Sequence, residues 1–275
     1  MASSSATPVF SRTNSRVSST VHADPNELAR SAATDFSRHL VQQWQDVLGA
    51  ELLGAYLIGS LAHAGFSWRY SDIDVALVTA AGLSGQVLDR LRNVANVMSP
   101  EWGPKVSIFW TDRYFSLGRF PSLDRIDYLD HAITLIEGEC VRPGRPTLEA
   151  IQHYLSGAPL ADWAGRARDF IAAETLEPKD HKAYLRALLY PGRFCYSWMT
   201  GLIGSNDDAV AFLTERHVAG LDVNLIARAL QCRQNAADPD ALFPARKVLS
   251  SQIDACIALV NGGSGPIRPV PRVER

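Results

Sequence analysis

The chain has 275 residues, 47% of them apolar and 20% charged, which is enough to bury a sizeable core in one large domain or two small ones. Lys and Arg total 27 against 29 Asp and Glu, a formal charge of −2, without the basic excess of a protein that mainly grips nucleic acid. No apolar run approaches the ~18 residues of a membrane span, and Cys140, Cys195, Cys232 and Cys256 form no C-x-x-C pair, so zinc fingers and disulfide frameworks are excluded and a reducing cytoplasm is expected.

Residues 1–23 contain seven Ser and three Thr, with Arg12 and Arg16 but no Asp or Glu. That composition cannot build a core and reads as a disordered tail. It superficially resembles a transit peptide but lacks an amphipathic Arg face. Order begins at Asp24-Pro25-Asn26-Glu27, where Asp24 caps a helix, Pro25 suits its first turn and Glu27 completes a capping box. Leu28, Phe36, Leu40, Trp44 and Leu48 then recur at helical spacing, predicting an amphipathic helix over 25–48.

A short apolar strand over 53–58 follows, ending at Gly59-Ser60, and a second strand is predicted over 72–78. The stripe of Val87, Leu88, Leu91, Val94, Ala95 and Met98 predicts a helix over 84–98. After the Gly103-Pro104 break comes a third strand over 106–110. A fourth is predicted over 133–141, closed by Arg142-Pro143-Gly144. This alternation indicates an α/β layer. From Thr147 onward the pattern turns helical, over 147–156, 159–174, 180–200, 207–217, 222–236 and 244–260. Pro191-Gly192 should kink or split the third of these. The expected organisation is therefore a first domain over 24–145, a helical second domain over 146–262, and a Gly- and Pro-rich tail over 263–275.

The residues richest in chemistry run from Leu57 to Val75. Gly59 permits a tight turn off a strand, and Ser60 can open the next turn. Backbone N–H groups and a hydroxyl at such a turn cradle phosphate. Asp72 and Asp74 lie two apart, so their carboxylates share a face. Two carboxylates on one face repel unless a cation stands between them, and Mg²⁺ suits oxygen ligands beside phosphates. The constellation points to metal-assisted transfer from a nucleoside triphosphate.

The order strand, Gly59-Ser60, turn, Ser71-Asp72-Ile73-Asp74-Val75 resembles the polymerase-β-type nucleotidyltransferase superfamily. The stretch Arg193-Phe-Cys-Tyr196-Ser197-Trp-Met-Thr200-Gly201-Leu-Ile203-Gly-Ser205 resembles the helical C-terminal domain of the aminoglycoside (3″)(9) adenylyltransferases. The two stretches together anchor about 25–260. The resemblance implies an α+β fold, a nucleotidyltransferase-type mixed sheet with helices followed by an all-helical C-terminal domain. It implies a cleft for Mg-ATP and a small-molecule acceptor, and transfer of AMP to an acceptor hydroxyl such as that of an aminoglycoside antibiotic. It implies that Gly59, Ser60 and Ser71 touch the triphosphate, that Asp72 and Asp74 ligate magnesium, and that Arg193 reaches the phosphates from the helical domain.

Two positions depart from the family pattern. The strand after the intervening helix carries a third carboxylate in the family, but here it reads Lys105-Val-Ser107-Ile-Phe-Trp110, with Lys105 the first match and Ser107 the alternative. Neither is a carboxylate, so the expected general base is missing there; Glu101 and Asp112 flank the strand. Asn206 stands where the family places a lysine toward the phosphates. A rival reading is therefore a nucleotide-binding or regulatory module that keeps the cradle without turnover. His63, Trp68 and Tyr70 lie in the turn, as phosphate or ring contacts or as ordinary surface and packing residues. His181 opens a helix that Asp180 can cap. No H-x-x-x-H spacing suggests zinc.

Overall fold

A computed structural model describes residues 24–63 and 65–262. The expectations for residues 1–23 and 263–275 lie outside the described residues. In chain order the elements are α1 (Pro25–Leu48), β1 (Leu52–Ile58), β2 (Ile73–Thr79), α2 (Gly85–Met98), β3 (Val106–Asp112) and β4 (Gly118–Arg119). They continue with α3 (Ser122–His131), β5 (Ile133–Glu137), α4 (Leu148–Ser156), α5 (Ala158–Ala172), α6 (His181–Thr200), α7 (Asn206–Glu215), α8 (Val223–Gln234) and α9 (Val248–Asn261). The fold is α+β, a mixed sheet with helices followed by an all-helical half.

The sheet order is β4-β3-β2-β1-β5. Among the described strands only β2 and β3 run parallel, and α2 supplies the crossover that a parallel pair requires. The two-residue alternation of the strands sorts the sheet's residues between two faces. Ala55, Leu57, Ile73, Val75 and Leu77 pack with Leu40, Trp44 and Leu91 of α1 and α2. Tyr56, Ile58, Ala76 and Val78 pack with Phe115, Phe120 and Tyr128 on the opposite side. Asp74 has the parity of Ala76 and Val78, so it points to the α3 side of the sheet. That parity decides which groups can meet it.

The helical half is built around α6. Its core includes Tyr184, Leu185, Leu188, Phe194 and Trp198. A stacked ladder runs from Trp163 to Tyr190, Phe194 and Trp198, with centroid separations of 4.7, 5.8 and 5.6 Å.

Three expectations need correction. The Pro191-Gly192 pair does not split α6, which is continuous from His181 to Thr200. Proline removes the N–H that would bond to the carbonyl four residues back, and the indole N–H of Trp163 donates to that carbonyl, Ala187, at 3.0 Å. The capping box at α1 is absent: Asp24 accepts the Asn26 N–H at 2.9 Å, while Glu27 stands 3.9 Å from Arg30. Asp180 makes no side-chain cap on α6. The element boundaries otherwise move by a few residues, with β5 ending at Glu137. Two elements were not expected, the short β4 and the ten-residue α3, and α3 proves to face the Asp pair.

Candidate functional site

Strand β1 gives way to Gly59, whose φ of 69° turns the chain sharply into a single turn of 3-10 helix over Gly59–Leu61. The Gly59 N–H donates to Asp127 Oδ2 on α3 at 2.6 Å. Ser60 donates its hydroxyl hydrogen to Ser71 Oγ at 3.0 Å. The buried Ser71 Oγ also accepts the Ser67 N–H and a guanidinium N–H of Arg233, each at 2.9 Å. The turn and the entry to β2 are thus closed on each other by hydroxyls.

The helical half grips this turn from outside. Ser67 Oγ donates to the Arg233 carbonyl at 2.8 Å, and the Tyr70 hydroxyl donates to the Ala237 carbonyl. Arg69 donates to the Ala236 carbonyl at 3.0 Å and pairs with Asp238. Burial, with the charges of Arg193 and Arg186, draws the Arg233 guanidinium down to about 10. Tyr70 is therefore a packing residue anchored by its hydroxyl, whereas Trp68 is exposed. His63 lies against the His131 ring at 5.3 Å, with Nε2 3.7 Å from Asp127 Oδ1. His181 is buried between Asp238 and Asp240, at 3.3 and 3.2 Å.

At the start of β2, Asp72 is met by two cations from α6, the ammonium of Lys182 and the guanidinium of Arg186, the latter at 2.8 Å. Burial pushes the Asp74 carboxyl up to about 6, with the Asp72 and Asp127 charges adding to the shift and Arg186 and Arg193 opposing it. Asp124, one helical turn before Asp127 on α3, is pushed up to about 7 by burial, then by Asp127 and Asp74, against the pull of Arg119 and Arg193. Three carboxylates therefore crowd the α3 side of the sheet, with Asp72 at its rim. Arg193 is exposed on α6, and its charge bears on both Asp74 and Asp124.

The register of β2 and β3 settles which residue lies beside Asp74. Its partner on β3 is Ser107. Lys105 instead ends the 3-10 turn before the strand, where its ammonium donates to the Trp68 carbonyl at 2.6 Å and sits 4.8 Å from the Trp102 ring centroid. Burial holds that ammonium below its ordinary value against the pull of Glu101, with Lys182 adding to the depression. Asp112 accepts the N–H groups of Ser116 and Leu117 at 2.7 and 2.8 Å, so its carboxylate serves a turn. Asn206 begins α7 beside Ser205, whose capping box with Asp208 closes that helix end.

The residues that the sequence singles out, Asp72, Asp74, Gly59, Ser60, Ser71 and Arg193, surround one end of the sheet. Asp124, Asp127, Lys182, Arg186 and Arg233 join them there without having been expected. The spacing of Lys182, Arg186 and Arg193, four and then seven residues apart, puts three cations on one face of a helix and was the available signal.

Two half-buried carboxylates, each repelled by the other, form a hard-oxygen donor pair. Among the described residues no group of three or more His, Cys, Asp or Glu is placed to hold a metal unaided. Mg²⁺ commonly takes one or two carboxylates and fills its other positions with phosphate and water, so the donor set fits that ion. Among the described residues no helix is long and apolar enough to cross a membrane.

The architecture, a mixed five-stranded sheet followed by a helical half, is one seen before. Among solved structures it is similar to a crystal structure of spectinomycin adenyltransferase AAD(9) from Enterococcus faecialis with ATP and spectinomycin, with a TM-score of 0.60, 12% identity, and coverage of 82% of this chain and 99% of that one. Scanned against family models the chain matches none, and a search of curated proteins gives no match. At this identity the likeness is one of fold.

Proposed function

We propose that the chain is a cytoplasmic nucleotidyltransferase that transfers AMP from Mg-ATP to a hydroxyl of a small polar acceptor. One observation carries this reading: the Gly59-Ser60 turn and the Asp72/Asp74 pair converge at one end of the sheet, in a fold shared with an adenyltransferase solved with ATP. We assign the sheet to a first domain over 24–145 and the helices to a second over 146–262, with the site between them; a hydrophobic cluster confined to the first half supports that division, while the core of the helical half takes in Tyr70 and Ile126 from the first and so joins the two.

In this reading Asp72 and Asp74 hold Mg²⁺, which when bound supplies neutralisation of phosphate charge. Ser60 and Ser71 offer hydroxyls to the triphosphate, and Arg193 approaches it from α6. Asp127 orients the Gly59 turn through the backbone N–H. Asp124, whose proton affinity lies close to neutrality, takes the proton from the attacking hydroxyl. The acceptor is a sugar-like polyol or an aminoglycoside, the latter bringing antibiotic resistance as the biological role.

The alternative reading is a regulatory module that binds nucleotide without turnover, and the absence of a carboxylate at Ser107 favours it. Incubation with ATP, Mg²⁺ and a panel of aminoglycosides and polyols, read by pyrophosphate release beside an equilibrium ATP titration, separates the two. Release with an acceptor establishes the enzyme, binding alone supports the module, and no ATP binding removes both.

A further inference from the structure

The cation pair on Asp72 is an unusual arrangement for a metal ligand. Lys182 and Arg186 stand four residues apart on α6, so their side chains rise from one face about 5–6 Å apart. Both reach across to the same carboxylate, one to each oxygen. Neither is deeply buried: their side chains are 34% and 63% exposed, against 18% for Asp72. The exposed remainder of each side chain leaves room to move. Arg193, seven residues further along the same helix, adds a third positive charge toward Asp74 and Asp124. At position 206 the side chain is the neutral amide of Asn206, so α7 contributes no cation there.

We propose that Lys182 and Arg186 are the triphosphate-binding groups of the helical half, resting on Asp72 until nucleotide arrives and then passing to the phosphate oxygens. The inference rests on the Mg-ATP reading above. Its physical basis is an exchange of counter-ions. With no cation between them, Asp72 and Asp74 repel, and the two side chains of α6 relieve that repulsion. A divalent ion bound with the nucleotide takes over the neutralisation of Asp72. The released ammonium and guanidinium are then a helix-turn apart, a spacing suited to oxygens on neighbouring phosphates, and charge-assisted bonds to phosphate replace those to carboxylate. The exchange keeps Asp72, Lys182 and Arg186 paired in both states, and it makes the helical half sense whether nucleotide is present.

The proposal demands effects of opposite sign on two ligands. In the Lys182→Gln/Arg186→Gln variant, Mg-ATP measured by calorimetry at fixed ionic strength should bind roughly tenfold more weakly or worse, because neither glutamine can form a charge-assisted bond to phosphate. Mn²⁺ alone, titrated into nucleotide-free protein and followed by electron paramagnetic resonance, should bind more tightly, because nothing competes for Asp72. A misfolded variant would lose both affinities and cannot mimic this pattern. Unchanged or tighter Mg-ATP binding overturns the proposal, and so does unchanged or weaker Mn²⁺ binding. Asp72→Asn keeps the two readings apart. If it binds Mg-ATP like the wild type, the nucleotide site itself is misassigned. If it loses binding while Lys182→Gln/Arg186→Gln does not, only the counter-ion exchange fails.

Discussion

A Cβ built on Gly59 would stand 2.3 Å from Oδ2 of Asp74, so the turn after β1 and the second aspartate of β2 are fitted to one another without room for a methyl group. The φ of 69° at Gly59 adds a backbone requirement that other residues meet only at a cost. Asp74 cannot retreat freely, because it sits on a central strand between β1 and β3. The first prediction is that Gly59→Ala costs about 1–2 kcal/mol from the backbone alone and displaces the Asp74 carboxylate. Mg-ATP affinity should drop by roughly tenfold or more, as a 1.4 kcal/mol loss would give. Calorimetric titration of the variant with Mg-ATP checks this; wild-type affinity would show that the cradle tolerates a side chain.

The second prediction concerns α6. Trp163→Phe keeps an aromatic ring for the stack on Tyr190 but removes the donor to the Ala187 carbonyl. A buried carbonyl without a partner costs about 1–3 kcal/mol. Pro191→Ala returns a backbone N–H to that carbonyl, so the double variant should lose less stability than the sum of the singles. Urea denaturation of the four proteins measures the coupling. Strict additivity would mean that Trp163 stabilises the helix by packing alone.

Much of this molecule is legible in its sequence because local pattern and tertiary role agree there. The stripe of α2, the turn at Gly59-Ser60 and the alternation of β1 and β2 follow from spacing alone. Asp72 and Asp74 could be placed on one face by counting. The continuity of α6 could not, because the group that repairs Pro191 lies on another helix, at Trp163. Helix α3 is short, and its Pro121-Ser122 start and Asp124 in the first turn were the cues available for it. Its importance comes from packing on the face of the sheet that Asp74 shares. The pairing of Asp72 with Lys182 and Arg186 spans more than a hundred residues and depends on how the helical half docks, which no local pattern encodes. Ser107 rather than Lys105 beside Asp74 is a matter of strand register, and a shift of two residues along β3 keeps the same face.

The third prediction is a pH dependence. Native Asp74 and Asp124 hold their protons up to about 6 and about 7, while the unfolded chain releases carboxyl protons near pH ~4. Between those values the native state binds more protons than the unfolded state. Stability of the nucleotide-free protein therefore falls as pH rises from about 4 to about 7. Asp74→Asn and Asp124→Asn should each flatten that slope, with the gain over wild type appearing at neutral pH and absent at pH 4. Thermal midpoints across this range decide the matter; a slope untouched by either change would place those charges in contact with solvent.

The last prediction concerns the position beside Asp74. Ser107 pairs with Asp74 across the parallel β2–β3 ladder and has the parity of Phe109, which packs on the α3 side. Ser107→Glu would therefore set a third carboxylate on the face that holds Asp74 and Asp124. Without a divalent ion this adds repulsion to a cluster whose carboxyls are already pushed up, so the nucleotide-free protein should lose stability. With Mn²⁺ the sign reverses, since a third oxygen donor strengthens the site, and affinity should rise. If proton removal limits transfer, turnover should rise as well, by up to ~10²–10⁴-fold for a well-placed acceptor. Lys105→Glu makes the contrast. It removes the bond to the Trp68 carbonyl and the contact with the Trp102 ring, and its carboxylate emerges from the turn before the strand. It should gain neither metal affinity nor turnover. Mn²⁺ titrations and pyrophosphate release on both variants test the pair, and a gain in Lys105→Glu without one in Ser107→Glu would reverse the assignment drawn from the register.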